Sequence, residues 1–116
     1  NNTSPDRLFV PLNSDPYRGF ESSGKTAEFR GVNSKFNTDT VFVGRTVELR
    51  RGYSTDDSLW GEITAVDTGT SIESLVSEWF SELQYKNRTK EEIIQSVKNQ
   101  LGDYDEFIVF EVELVE

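Results

Sequence analysis

The sequence contains no cysteine and no histidine among its 116 residues. Without cysteine the chain can form no disulfide and has no thiol nucleophile. The absence of both residue types excludes the usual structural and catalytic zinc sites. It also excludes nucleophiles that a histidine activates, such as a Ser-His-Asp triad. Any chemistry must therefore use lysine, carboxylates, tyrosine, serine or threonine, and we expect neither a metal nor a cofactor.

Long apolar runs are also missing, and only 34% of the residues are hydrophobic. No stretch approaches the ~20 apolar residues that a membrane-spanning helix needs, and none resembles a signal peptide. The length suits one domain. We therefore expect a single domain over residues 1–116, with residues 1–7 frayed. We expect it to be a cytoplasmic monomer with no membrane partner.

Positive charge is scarce in the second half of the chain. The net charge is −9, yet residues 1–54 carry eight Lys/Arg against six Asp/Glu, whereas residues 55–116 carry four against fifteen. An acidic second half is typical of a solvated surface, although it would also suit a basic partner protein. The first half can form a local face that attracts anions.

Apolar alternation predicts several short strands. They are Leu8–Leu12, Lys25–Arg30, Val41–Val43, Thr46–Arg50, Leu59–Val66 and a half-buried closing strand over Ile108–Val115. Gly61 lies inside one of them and indicates a bulge or a close backbone approach. Phe36 is a possible anchor in the polar loop that follows the second strand.

Helical signals occur at three places. A short helix ends near Ser22, with Tyr17 and Phe20 facing inward and Gly24 as a left-handed stop. Thr70 and Glu73 form a capping box ahead of a helix over Ile72–Leu83. At the third place, Thr89 and Glu92 form a second capping box. A further helix follows it, and Gly102 is the predicted stop of that helix. The order of elements predicts an α+β fold, a small mixed β-barrel with a short N-terminal helix and two helices before the last strand.

Residues Gly19–Gly31 carry the densest pattern of functional groups. Along a strand, Thr26, Glu28 and Arg30 share one face. Lys25 follows the Gly24 turn, so its long side chain can curl round to Glu28. One region would then hold an amine, a carboxylate and a guanidinium. The alternative is a ladder of surface ion pairs, each worth about 0–1 kcal/mol.

The same stretch also matches the phosphate-binding P-loop pattern, through Gly19, Gly24, Lys25 and Thr26. That motif requires a buried strand before it and a helix after it. The preceding residues include two prolines and no apolar run, and the following residues have no helical period. The context therefore disfavours a P-loop.

The segment Gly24–Arg30 resembles the G-x-K-x-x-E-x-R signature of the ASCH domain, a relative of the PUA fold, with Lys25 directly after the glycine. A Val-Gly-Arg turn, two helices and an apolar last strand extend the resemblance over about residues 8–116. It implies a PUA-like β-barrel whose cleft, beside the motif strand, holds RNA or a modified nucleoside. The ligand-binding candidates are Lys25, Thr26, Glu28, Arg30 and Tyr53, the last as a stacking platform.

Some small ASCH proteins resemble K-x-x-T-x-R instead and are amidohydrolases of 4-acetylcytidine. Lys25 matches their lysine, but Glu28 stands where their threonine would be. Lys25 and Glu28 are therefore the catalytic candidates, with Glu82 as a more distant one. This departure favours a binding module over an amidohydrolase or a ribonuclease. A protein-interaction domain without a nucleotide ligand is the third alternative.

Overall fold

Five strands form one mixed sheet in the computed structural model, which describes residues 7–22, 24–52, 57–84 and 87–115. In chain order they are β1 (Leu8–Leu12), β2 (Ala27–Gly31), β3 (Thr46–Arg51), β4 (Ser58–Gly69) and β5 (Phe107–Leu114). The helices described are α1 (Ser14–Ser22), α2 (Ile72–Glu78), α3 (Phe80–Leu83) and α4 (Lys90–Leu101). None of these helices has the length and hydrophobicity of a transmembrane span.

The sheet curls into a half-barrel. Its strand order is β1-β3-β4-β5-β2, and β1 runs parallel to β3 while the other pairs are antiparallel. The two edge strands, β1 and β2, approach each other closely enough for a hydrogen bond: Arg30 Nη2 of β2 donates to the carbonyl of Pro11 in β1 at 2.8 Å. The predicted α+β fold with a small mixed barrel-like sheet is therefore confirmed.

Each face of the sheet packs against its own core. The inner core lies in the concavity of the half-barrel and includes Phe20 of α1 and Phe36 of the following loop. The outer core lies between the other face and helices α2 to α4. The central strand β5 serves both, since Ile108 and Phe110 join the inner core and Val109 joins the outer one. Both of its faces are thus buried over Phe107–Phe110, rather than one as predicted.

Two glycines act as the sequence predicts. Gly24 has φ +82° and directs the chain from α1 towards β2, a conformation that glycine adopts without strain. A Cβ on Gly61 would lie 2.6 Å from Val112 Cγ1 and 2.7 Å from the Glu113 carbonyl oxygen. The close backbone approach at Gly61 is therefore confirmed, and the register shifts between Ile63 and Ala65.

The predicted strand at Val41–Val43 is wrong. Val41 is buried, but Phe42 and Val43 are 48% and 63% exposed, and the segment is a turn. Gly44, with φ +98°, donates to the Ile63 carbonyl at 2.8 Å and ends this turn against β4. The three consecutive apolar residues therefore consist of one buried side chain, Val41, and two exposed ones, and they do not form a strand.

The predicted helix Ile72–Leu83 is divided at Trp79, whose φ and ψ are −107° and 17°. Trp79 is half-buried, and its Nε1 donates to Asp67 Oδ2 at 3.0 Å. The N-cap is Ser71 rather than Thr70, because the Ser71 hydroxyl accepts from the Ser74 amide. The capping box of Thr89 and Glu92 is confirmed in both of its hydrogen bonds.

Candidate ligand-binding groove

A groove of about 410 Å³ opens where the two edge strands of the half-barrel meet α4. Its floor is charged and carries Lys25, Glu28 and Arg30. Its apolar wall includes Ile93 and Val97 of α4. The groove therefore combines a charged floor with an apolar side, which is the usual character of a small-ligand site.

The local fold explains why the three charged residues meet. In the β2–β5 register, Glu28 lies opposite Phe110 and Arg30 lies opposite Ile108. Because both partners belong to the inner core, Glu28 and Arg30 point to the inner side of the sheet. Lys25 precedes β2, and its amide donates to the Gly19 carbonyl at 3.1 Å, which holds it against the end of α1.

Glu28 joins the two cations. Its Oε1 lies 3.6 Å from Lys25 Nζ, and its Oε2 accepts from Arg30 Nη2 at 2.6 Å and from Nε at 3.2 Å. Lys25 and Glu28 are only 6% and 8% exposed. The Lys25 ammonium also lies 5.4 Å from the centre of the Phe20 ring. The prediction that Lys25 reaches Glu28 is confirmed, and the pairs are not surface pairs.

The two buried groups have shifted pKa values. Burial lowers the pKa of Lys25, Glu28 partly offsets that effect, and the positive charges of Arg30 and Arg88 add to the lowering. Burial alone would raise the pKa of Glu28, but Arg30 and Lys25 outweigh it and hold the pKa below its usual value. Glu28 therefore stays ionised, whereas Lys25 gives up its proton more readily than an exposed lysine does.

We expect this carboxylate to make stability sensitive to acid. A group whose pKa is depressed in the folded state stabilises the fold above its unfolded pKa, and the stabilisation is lost as the pH falls through the folded pKa. The free energy of unfolding should therefore fall over the acid range below the ordinary glutamate pKa of 4.5. Urea titrations across this range should show a smaller fall for Glu28→Gln than for the unmodified protein. Equal falls would contradict the depressed pKa of Glu28.

The other predicted site residues occupy different positions. Thr26 lies beside the groove and not in its lining. Its amide donates to the Glu82 carbonyl at 2.9 Å, and its own carbonyl accepts from Val112 at 2.8 Å. Glu82 thus meets Thr26 through its backbone. Tyr53 lies outside the described residues, although the preceding Gly52 lines the groove. The binding and catalytic roles of all these residues stay predictions.

The order of elements around Lys25 is the reverse of that in a P-loop. Lys25 follows helix α1 and precedes strand β2, whereas a P-loop lysine follows a strand and opens a helix. The match to that pattern is therefore coincidental. Among the described residues, no group of acidic side chains is arranged to hold a metal ion.

Sequence reasoning missed a second buried carboxylate, Glu48 of β3, which is 3% exposed. Its Oε1 accepts from Arg7 Nε at 2.7 Å, and its Oε2 accepts from Arg50 Nη2 at 2.6 Å. Burial raises its pKa, but the two arginines outweigh this and lower it. The spacing Glu48-x-Arg50 repeats that of Glu28-x-Arg30, and this was the available signal.

The α4 side of the groove was also missed. Arg88 and Ser96 line it, together with Gln100. These residues lie about sixty positions or more along the chain from Lys25, and no spacing rule connects the two segments. Only the packing of α4 beside β2 brings them together.

No protein-family model matches the chain, and no curated protein matches its sequence. Solved structures are similar. The ASCH protein from Zymomonas mobilis matches with a TM-score of 0.64 and 12% identity, over 90% of this chain and 65% of that chain. A protein from Pyrococcus furiosus matches with a TM-score of 0.66 and 16% identity, over 95% and 98%. A protein from Enterococcus faecalis matches with 0.60 and 19%, over 94% and 80%. The chain therefore has the fold of ASCH domain structures.

Proposed function

We propose that the groove binds RNA or a modified nucleotide and that Glu28 accepts hydrogen bonds from the edge of a base. The observation that carries this proposal is an ionised carboxylate in the floor of a groove with an apolar wall. An exocyclic amine on a base is a donor that such an acceptor suits. The aliphatic side chains of Ile93 and Val97 offer an apolar surface to the face of the base.

The charges in the groove suit a ligand that also carries phosphate. The groove is lined by three cations, Lys25, Arg30 and Arg88, and among its described lining residues Glu28 is the one acidic side chain. Its lining therefore carries a net positive charge, although the chain as a whole is acidic. Arginine binds phosphate oxygens in a forked geometry. A nucleotide would therefore place its phosphate near Arg30 or Arg88 and its base towards the apolar wall.

An amidohydrolase of the 4-acetylcytidine type is the second candidate, and the lowered pKa of the Lys25 amine favours it. A buried lysine can act as a base or a nucleophile once its proton is lost. Glu28 acts against this by stabilising the ammonium form, and it replaces the threonine of that group. Release of acetate from 4-acetylcytidine, followed by chromatography, distinguishes the candidates, since a binding module gives no turnover.

Filling the groove should weaken nucleotide binding without removing a charge. Ser96→Trp places an indole against the α4 side of the groove, so we expect the affinity for nucleotides to fall by at least about tenfold, or ~1.4 kcal/mol. Isothermal titration with the nucleoside 5′-monophosphates and with 4-acetylcytidine measures the effect.

The matched control is Gln95→Trp, which adds the same ring to the exposed side of the same helix. This variant should bind as the unmodified protein does. Equal affinities for the two variants would show that the ligand binds elsewhere. No binding by the unmodified protein to any of these compounds would count against the groove as a nucleotide site.

A further inference from the structure

The helices cover only part of the outer face of the sheet. Among the described residues, the outer core takes side chains from β2 and β5 and none from β1 or β3. Val109 is its last member on β5, so Glu113, further along that strand, points outward beyond the helices. We call the outward-pointing area beside the helices the open face. It carries the side chains of Arg7, Glu48, Arg50, Trp60, Glu62 and Glu113, which alternate along the chain with inward-pointing residues.

The side of the open face at β1 and β3 is positive. Two guanidiniums, those of Arg7 and Arg50, flank the single buried carboxylate of Glu48. Arg7 makes its pair through Nε, at 2.7 Å, and its guanidinium carbon lies 6.0 Å from the centre of the Trp60 ring. Among the described residues, the terminal nitrogens of Arg7 have no acceptor, and its side chain is 33% exposed. This side of the face therefore has one excess positive charge and hydrogen-bond donors that can take a further carboxylate.

The side of the open face at β4 and β5 is negative. Glu62 lies directly opposite Glu113 in the β4–β5 register, and both side chains are exposed. Like charges in this position repel each other and destabilise the pairing of the strands. In the part of the chain that the structure describes, no cation lies within ion-pair distance of either carboxylate. A single copy of the chain thus leaves this repulsion without compensation.

The sheet register places the two sides of the open face in one row. Arg7 directly precedes β1 and lies beside Thr46 of β3. Thr46 pairs with Glu62 of β4, and Glu62 pairs with Glu113 of β5. A twofold axis along the strands, between β3 and β4, brings this row against itself in reverse order, so Arg7 of one copy faces Glu113 of the other. Sheets packed face to face lie about 10 Å apart, which an arginine and a glutamate side chain span together.

We propose that the open face binds a second copy of this chain, in a symmetric dimer where Arg7 of each copy pairs with Glu113 of the other. Charge identifies this occupant, because a twofold interface requires a patch that is complementary to itself. A partner with one sign of charge, such as a nucleic acid or a basic protein, would lie against its own sign on half of the face. The dimer is independent of the groove, and it differs from the monomer that the sequence predicts.

Sedimentation velocity of the whole chain over a range of concentrations tests the dimer. We expect the average mass to rise towards twice the monomer mass as the concentration is raised to ~0.5 mM, since association follows mass action. Glu113→Arg should weaken the association at least about tenfold, because it would face Arg7 of the other copy. Within its own chain the new guanidinium lies opposite Glu62, so this variant should keep its fold and unfold at no lower a urea concentration.

An equimolar mixture of two variants gives the sharper test. Arg7→Glu should also weaken association at least about tenfold, by facing Glu113. In a mixed pair of Arg7→Glu and Glu113→Arg, the introduced carboxylate of one chain faces the introduced guanidinium of the other, and the second contact keeps its original residues. The mixture should therefore associate within about fivefold of the unmodified protein. If Arg7→Glu unfolds the chain through the buried Glu48, as circular dichroism would show, Glu113→Arg alone decides the outcome.

Glu91→Arg is the matched control, because it makes the same change of charge as Glu113→Arg on the exposed side of α4. It should leave the association of the chain unchanged and should fail to restore the dimer of Arg7→Glu. If Glu91→Arg weakens association or restores it as Glu113→Arg does, net charge is the cause and the open face is refuted. An unmodified protein that stays monomeric at every concentration also refutes the dimer.

Discussion

Glu28→Gln is expected to lower the free energy of unfolding by about 3 kcal/mol. The carboxylate is 8% exposed and is shared between Lys25 and Arg30. The neutral amide would leave both cations without a counter-charge in a region that water reaches poorly. We expect the lower end of the range for broken buried pairs, because the Arg30 side chain keeps 21% exposure and can still be hydrated. Urea unfolding at pH 7, followed by circular dichroism, measures the loss.

Glu73→Gln provides the matched comparison. Glu73 pairs with Lys98 at 2.6 Å, and the two side chains are 56% and 45% exposed. The same chemical change should cost less than about 1 kcal/mol there. If the two variants lose the same small amount, Glu28 is a surface residue in solution and the charged floor of the groove does not exist. A large loss at Glu28 alone supports the buried network.

The elements that the sequence predicted well have strong local signals. The capping box of Thr89 and Glu92 needs only residues three apart, and its helix follows directly. Strand β1 matches its prediction at both ends, since Leu8–Leu12 is bounded by polar residues. Gly24 was predicted as a left-handed stop because a helical pattern ends just before it. In each case the determining contacts lie within a few residues.

Where the predictions were wrong, neighbouring residues offered equal signals. Thr70 and Ser71 are both good caps, and only the geometry of the first turn selects Ser71. The apolar stripe through Trp79 continues past the point where the helix breaks, so spacing alone predicts one helix. The hydrogen bond of Trp79 to Asp67 forms only when the helix packs against β4. Tertiary contacts of this kind leave no trace in hydrophobic spacing.

The candidate site was predictable in its β2 part only. Lys25, Glu28 and Arg30 lie within six positions, so strand alternation and a flexible lysine sufficed to bring them together. The burial of Glu48 was not predictable from alternation. Along β3, Val47 and Leu49 point to one face and Glu48 points to the other, which is expected to be solvated. Arg7, which covers it, lies 41 positions away in the chain.

Phe110→Ala is expected to cost about 3–5 kcal/mol of unfolding free energy, since truncating a buried phenylalanine removes apolar contact and leaves a cavity. Phe110 is fully buried in the inner core, and its ring stacks on Phe36 with centroids 6.3 Å apart. It also lies opposite Glu28 in the β2–β5 register, so the two side chains are neighbours on the inner face of the sheet. Thermal and urea unfolding both measure the loss.

The control on the same strand is Leu114→Ala, at a position that is 37% exposed. Its loss should stay near or below about 1 kcal/mol, because a partly exposed side chain leaves no closed cavity. A loss below about 1 kcal/mol for Phe110→Ala as well would contradict an inner core built around that ring. Because the cavity would open beside Glu28 and Phe36, the variant should also weaken nucleotide binding in the groove, which Leu114→Ala should not do. The inner core would then support both the stability of the half-barrel and the position of the groove's charged floor.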